Sequence, residues 1–100
     1  MTRQSKFTPG MDKTETLQAA SPIVLSHQGF TGLGIQCTNA AAVMTVKCGL
    51  TNASFPDTIT MNGGATAFRY PASAEMYKLN NAAFIQITWD VGNIRVFQKE

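Results

Sequence analysis

The sequence predicts an all-β domain: an antiparallel β-sandwich, jelly-roll or immunoglobulin-like, of seven to eight short strands with an extended N-terminal arm. Three observations predict it. From Pro22 onward short apolar segments are separated by turn residues at the spacing of an all-β domain. Several of those segments alternate apolar and polar side chains with the period of two that strands require. Little room remains for helix. One hundred residues suffice for one modest core and exclude a second folded domain.

Residues 1–20 are read as the arm and residues 21–100 as the sandwich. The arm has only Phe7, Met11, Leu17 and a few alanines as apolar groups, with Pro9-Gly10 as a break. Asp12 to Ala20 contains good helix formers without a wide apolar face, so a short helix is an alternative there. The expected strands are Ile23 to His27, Gly32 to Thr38, Ala42 to Gly49, Thr58 to Met61, Thr66 to Tyr70, Glu75 to Leu79, Ala83 to Trp89 and Asn93 to Gln98. Between them lie Gln28-Gly29, Asn39-Ala40, Asn52 to Asp57, Asn62-Gly63-Gly64, Pro71 to Ser73, Asn80-Asn81 and Asp90 to Asn93. These residues tolerate positive φ or fix a turn.

Alternation assigns the faces. Ile85, Ile87 and Trp89 share one side of their strand, with Phe84, Gln86 and Thr88 opposite. Ile94 and Val96 point inward and Arg95 outward, so the last two strands read as a hairpin hinged on Asp90 to Asn93. Met44, Val46 and Cys48 oppose Val43, Thr45 and Lys47 in the same way. Sheets with one oily and one polar face pack as a sandwich, with a flattened barrel as the other closure.

Composition narrows function mainly by exclusion. Eight Lys and Arg against six Asp and Glu give +2, dispersed along the chain, so no nucleic-acid footprint is expected. Charged residues make up 14% of the chain, against roughly 25% in average soluble domains. Such a neutral, small-residue-rich surface suits packing against other proteins. No apolar run has the length of a membrane span or a secretory signal, which points to synthesis in the cytoplasm and no membrane partner. Cys37 and Cys48 lack CxxC spacing and read foremost as reduced, partly buried thiols, with a cross-strand disulfide as the alternative. Asn52-Ala53-Ser54 matches a glycosylation sequon by chance.

Reactive side chains are scattered. His27, the single histidine, has no nucleophile or carboxylate at a recognisable spacing and reads as a polar residue at a strand end. Asp12, Glu15, Asp57, Glu75, Asp90 and Glu100 form no pair of the kind acid and base chemistry needs. Asn62-Gly63-Gly64 lacks the helix or lysine of a phosphate cradle and reads as a turn. No enzyme activity, cofactor or metal is expected. Aromatic residues are the better candidates for binding. Phe68, Tyr70, Tyr77 and Trp89 supply large contact area at low entropic cost. Tyr70 and Tyr77 are open between core and contact surface, and Trp89 reads foremost as core with an exposed platform as the alternative.

The segments Gly29-Phe30-Thr31-Gly32, Thr58-Ile59-Thr60-Met61, Ala83-Phe84-Ile85-Gln86-Ile87-Thr88 and Asn93-Ile94-Arg95-Val96-Phe97 together resemble small β-sandwich virion proteins of tailed bacteriophages. The resemblance spans residues 28 to 98 and rests on strands and turns. It implies a structural subunit in the virion: a head decoration or cement protein, or a fibre component. Its partners would be the major capsid protein or other virion proteins, with several copies clustered as a homo-oligomer. In such a subunit the arm lies on a neighbour, with Phe7, Met11 and Leu17 as anchors and Arg3 and Lys6 as charge contacts. The alternative function is a glycan- or receptor-binding sandwich of a phage fibre using Tyr70, Tyr77 or Trp89. A disulfide-bonded adhesin module would require Cys37 joined to Cys48.

Overall fold

The computed structural model of the chain describes residues 12–63 and 67–99. Within them lie seven strands, β1 (Asp12–Gln18), β2 (Ile23–Ser26), β3 (Gly32–Cys37), β4 (Met44–Gly49), β5 (Asp57–Ile59), β6 (Phe84–Trp89) and β7 (Ile94–Lys99). They form a three-stranded sheet in the order β1-β7-β3 and a four-stranded sheet in the order β2-β6-β4-β5. All pairings are antiparallel, and the two sheets pack as a sandwich.

The winding decides between the two connectivities. An immunoglobulin sandwich places its first two strands side by side. Here β1 pairs with β7 and β2 with β6. The backbone of Arg69 bridges Ile35 through two hydrogen bonds of 3.0 and 2.7 Å. Counted as a residual strand, this segment completes a scheme in which first pairs with last, second with next to last, third with sixth and fourth with fifth. That is a hairpin wound on itself, a jelly roll.

Four expectations are corrected. The strand expected at Thr66 to Tyr70 is, among the described residues, that single bridge. Pro71 has no N–H with which to extend a ladder. In addition, Asn62 N–H bonds the Tyr70 carbonyl, and Ala72 N–H the Thr60 carbonyl, which draws the chain toward the end of β5. Glu75 to Leu79 is helical: a single 3-10 turn, Ser73–Glu75, runs into α1 (Met76–Asn80). Ala, Glu, Met, Lys and Leu favour helix, and Met76 and Leu79, three apart, both turn toward the core. The Lys78 ammonium bonds Glu75 at 2.6 Å across the same turn.

The third correction concerns the arm. Residues 12–18 are β1, registered on β7 from Asp12 opposite Lys99 to Gln18 opposite Ile94. A largely polar strand is stable there because an edge strand buries only one side, and its threonines suit extended backbone. The sandwich therefore includes residues 12–18, and the short helix considered for Asp12 to Ala20 does not form. Finally, β6 and β7 do not pair with each other. Their apolar faces are covered from opposite sheets, so Asp90–Asn93 is an arch across the sandwich rather than a hairpin turn. The Trp89 ring fills the space beneath it, and its indole N–H donates to the Gly92 carbonyl at 2.7 Å. Gly92 has φ +83°, a conformation that favours glycine at this corner.

The core lies between the sheets, with Leu33, Ile35, Val46, Ile59, Ile85, Ile87, Ile94 and Val96 at or near full burial and Leu79 closing one end. Burial of each large aliphatic side chain contributes about 1.5–3 kcal/mol before conformational entropy is subtracted. The inward sets expected for β4, β6 and β7 are the sets observed.

Candidate functional site

The outer face of the three-stranded sheet gathers the side chains best suited to binding. Register fixes its layout. Glu15, Phe97 and Gly34 lie in one row across β1, β7 and β3, and Leu17, Arg95 and Gln36 in the next. Since Val96 and Gln98 face the core, Arg95 and Phe97 must face outward. The loop that carries Arg69 to β3 lays Phe68 and Tyr70 over this face.

Three rings meet there. Phe68 stacks on Phe97 with centroids 5.4 Å apart, and Tyr70 lies 6.3 Å from Phe97 and 6.5 Å from Phe68. Gly34 makes the close approach possible. A Cβ at that position would sit 3.0 Å from Tyr70 Cε1 and 3.2 Å from Phe97 Cε2. The tyrosine ring is thus held against the strand while 45% of the residue stays exposed. Beside the rings, Leu17 is 61% exposed, and the Arg95 guanidinium bonds the Glu15 carboxylate at 2.7 Å. A pinned aromatic ring, an exposed leucine and an arginine are the residue types that anchor protein interfaces, because they lose little side-chain freedom for the contact they make. Substitution of Gly34 by valine is expected to push Tyr70 and Phe97 off the strand. It should lower stability by about 1–3 kcal/mol, read as a lower Tm together with changed NMR shifts of the Tyr70 ring.

The other expected site residues lie elsewhere. Tyr77 is on α1, 61% exposed and separate from the aromatic cluster. Trp89, 6% exposed, belongs to the core, so the exposed platform is corrected. Arg3, Lys6, Phe7 and Met11 lie outside the described residues. Cys37 and Cys48 are both free and buried, on different sheets. The Cys37 thiol donates to the Val91 carbonyl at 3.3 Å and the Cys48 thiol to the Lys78 carbonyl at 3.7 Å. The paired disulfide is therefore not what the structure contains. Phe97 and Gly34 were missing from the expected site. Both left a signal: an aromatic at an outward strand position, and a glycine inside a strand, which marks close approach of another group.

A separate cleft of about 210 Å³ lies between the β4–β5 connection and α1, lined by Cys48, Leu50, Pro56, Asp57, Lys78 and Asn81 among others. Burial, reinforced by Asp57, pushes the Cys48 thiol above its ordinary pKa. It is a protonated thiol at neutral pH, unsuited to attack an electrophile. The Lys78 amine is pushed up, first by its bond to Glu75, and also donates to the Thr58 carbonyl at 2.8 Å. It is a fixed cation rather than a base. Among the described residues no group of three or more His, Cys, Asp or Glu could hold a metal ion, and no helix is long and apolar enough to cross a membrane. Compared with known proteins, the chain matches no family model, no curated protein and no solved structure.

Proposed function

We propose that this protein is a non-catalytic structural subunit of a bacteriophage virion, a decoration subunit that docks on the assembled coat through the outer face of its three-stranded sheet. The observation that supports this reading is the concentration of Leu17, Phe68, Tyr70, Phe97 and the Glu15–Arg95 pair on one face of a sparsely charged domain. The jelly-roll winding adds an analogy, since that architecture recurs in viral capsid and lectin domains. A subunit that binds only the assembled lattice stabilises that lattice by mass action.

Co-sedimentation with phage heads that lack the subunit tests the proposal. The wild type is expected to pellet stoichiometrically. Leu17→Glu and Tyr70→Ser should each weaken binding by at least about tenfold, as loss of an interface anchor does. Tyr77→Ser, away from the face, should bind as wild type. A wild-type protein that stays in the supernatant at every head concentration overturns the proposal. The exposed Tyr70 ring also favours a second reading, a glycan-binding face in which a sugar stacks on the ring. In that case Tyr70→Ser abolishes saturation transfer from a host polysaccharide while Leu17→Glu leaves it intact.

A further inference from the structure

We propose that His27 and Gln98 form an acid-sensitive latch between the two sheets, so that protonation of His27 opens the end of the sandwich at which Gln98 is held. His27 follows directly on β2 of the four-stranded sheet, where its N–H bonds the Ala83 carbonyl at 2.8 Å. Gln98 belongs to β7, the middle strand of the other sheet, and faces inward between Thr14 on β1 and Leu33 on β3. The two side chains are 1% and 2% exposed and meet at 2.6 Å, His27 Nδ1 to Gln98 Oε1. They are the buried polar residues of the described core.

An amide oxygen only accepts, so Nδ1 carries the hydrogen and donates it. The other nitrogen, Nε2, is then a bare lone pair, and it is buried without a hydrogen-bond partner among the described residues. In the neutral state this is tolerable because a lone pair demands less than an unpaired donor. A proton taken from solvent by Nε2 creates both a buried charge and a buried N–H with nothing to accept it. The groups that face the ring cannot compensate. Phe30 lies 5.9 Å away with an apolar ring, and Gln98 is already engaged through its oxygen. Burial, the larger influence, lowers the imidazole pKa below its ordinary 6.5, Gln98 opposes it in part, and no charged side chain contributes.

The sign follows from linkage. With the closed-state pKa depressed, the open state binds more protons. The latch's contribution is fully present above pH 6.5 and is lost as the pH falls through the lowered value. Opening there frees the end of β7 just beyond Phe97, and so reaches the aromatic face.

His27 is the single histidine in the chain, so its imidazole protons can be followed by NMR without ambiguity. The experiment follows that titration together with amide exchange of β7 and the urea midpoint between pH 7 and 5, a window in which ordinary carboxylates stay ionised. The expected result is a titration below pH 6.5, faster exchange at Gln98 and its neighbours as the pH falls, and a folding constant that drops by up to tenfold per pH unit. The double variant with His27→Leu and Gln98→Leu removes both partners and should lose that pH dependence. A wild-type imidazole that titrates at 6.5 or above, or β7 exchange that does not change between pH 7 and 5, overturns the latch, whether or not the double variant folds.

Discussion

Trp89→Ala is expected to destabilise the domain by about 3–5 kcal/mol, the range for removing a buried tryptophan, and to lower Tm by on the order of 20 °C. Two losses coincide. The ring is the largest group in the core, so its removal leaves a cavity that the flanking strands close only in part. The indole N–H also ties Trp89 to the Gly92 carbonyl at 2.7 Å, which holds the arch over the sandwich edge. The arch is in turn supported by the Asp90 carboxylate, which accepts from the Val43 N–H at 2.9 Å, and by Thr38 Oγ1, which accepts from the Asn93 N–H at 2.9 Å. Thermal unfolding followed by far-UV circular dichroism measures the effect. Trp89→Phe, which keeps most of the volume and loses the donor, should fall between the alanine variant and the wild type. A Tm within a few degrees of wild type for Trp89→Ala would contradict the placement of the ring.

Truncation should separate the N-terminal segment from the strand that follows it. Because the seven strands of the described residues lie within 12–99, deletion of residues 1–11 is expected to leave the sandwich folded, with a Tm within a few degrees of the parent. Deletion of residues 1–18 removes β1 as well. It uncovers the edge of β7, exposes the flank of Val96 and Phe97, and removes the Glu15 partner of Arg95. That ion pair, about half exposed, contributes at most about 1 kcal/mol. The bare edge matters more, since an unpaired, apolar-flanked strand recruits other chains. The longer truncation should therefore aggregate, as size-exclusion chromatography would show, while the shorter stays monodisperse. The shorter one also tests the proposed contacts of Arg3, Lys6, Phe7 and Met11. If it pellets with phage heads as the parent does, those residues do not contribute to docking.

Much of the fold was legible because alternation is a local property. Ile85, Ile87 and Trp89, or Ile94 and Val96, could be assigned a side from neighbours two residues away. What was not legible depended on partners distant in sequence. The one aliphatic side chain of β1, Leu17, is exposed, so the strand gives no apolar alternation; its existence depends on β7, about eighty residues later. Glu75 to Leu79 read as a strand, and its helical form depends on where Pro71 and the end of β5 make the chain turn. Of the candidate site, Tyr70 and Leu17 were legible as residues, but their meeting on one face follows from the registers of β1 and β3 on β7, which no local pattern encodes. The bond between His27 and Gln98 joins residues 71 positions apart and gave no signal at all.

The position of β7 also constrains how the chain can be born. Of the described strands it is the last to leave the ribosome, and it is the middle strand of its sheet, with β1 and β3 on either side. Until Ile94–Lys99 has emerged, those two strands have no shared neighbour and the core residues Leu33 and Ile35 lack their cover. The four-stranded sheet can begin to assemble earlier through β4 and β5, which are local in sequence. Non-local pairing of this kind slows folding and leaves apolar strands exposed to other nascent chains. The three-stranded sheet, and with it the aromatic face, comes into being only once β7 has emerged, in one closing step around that strand.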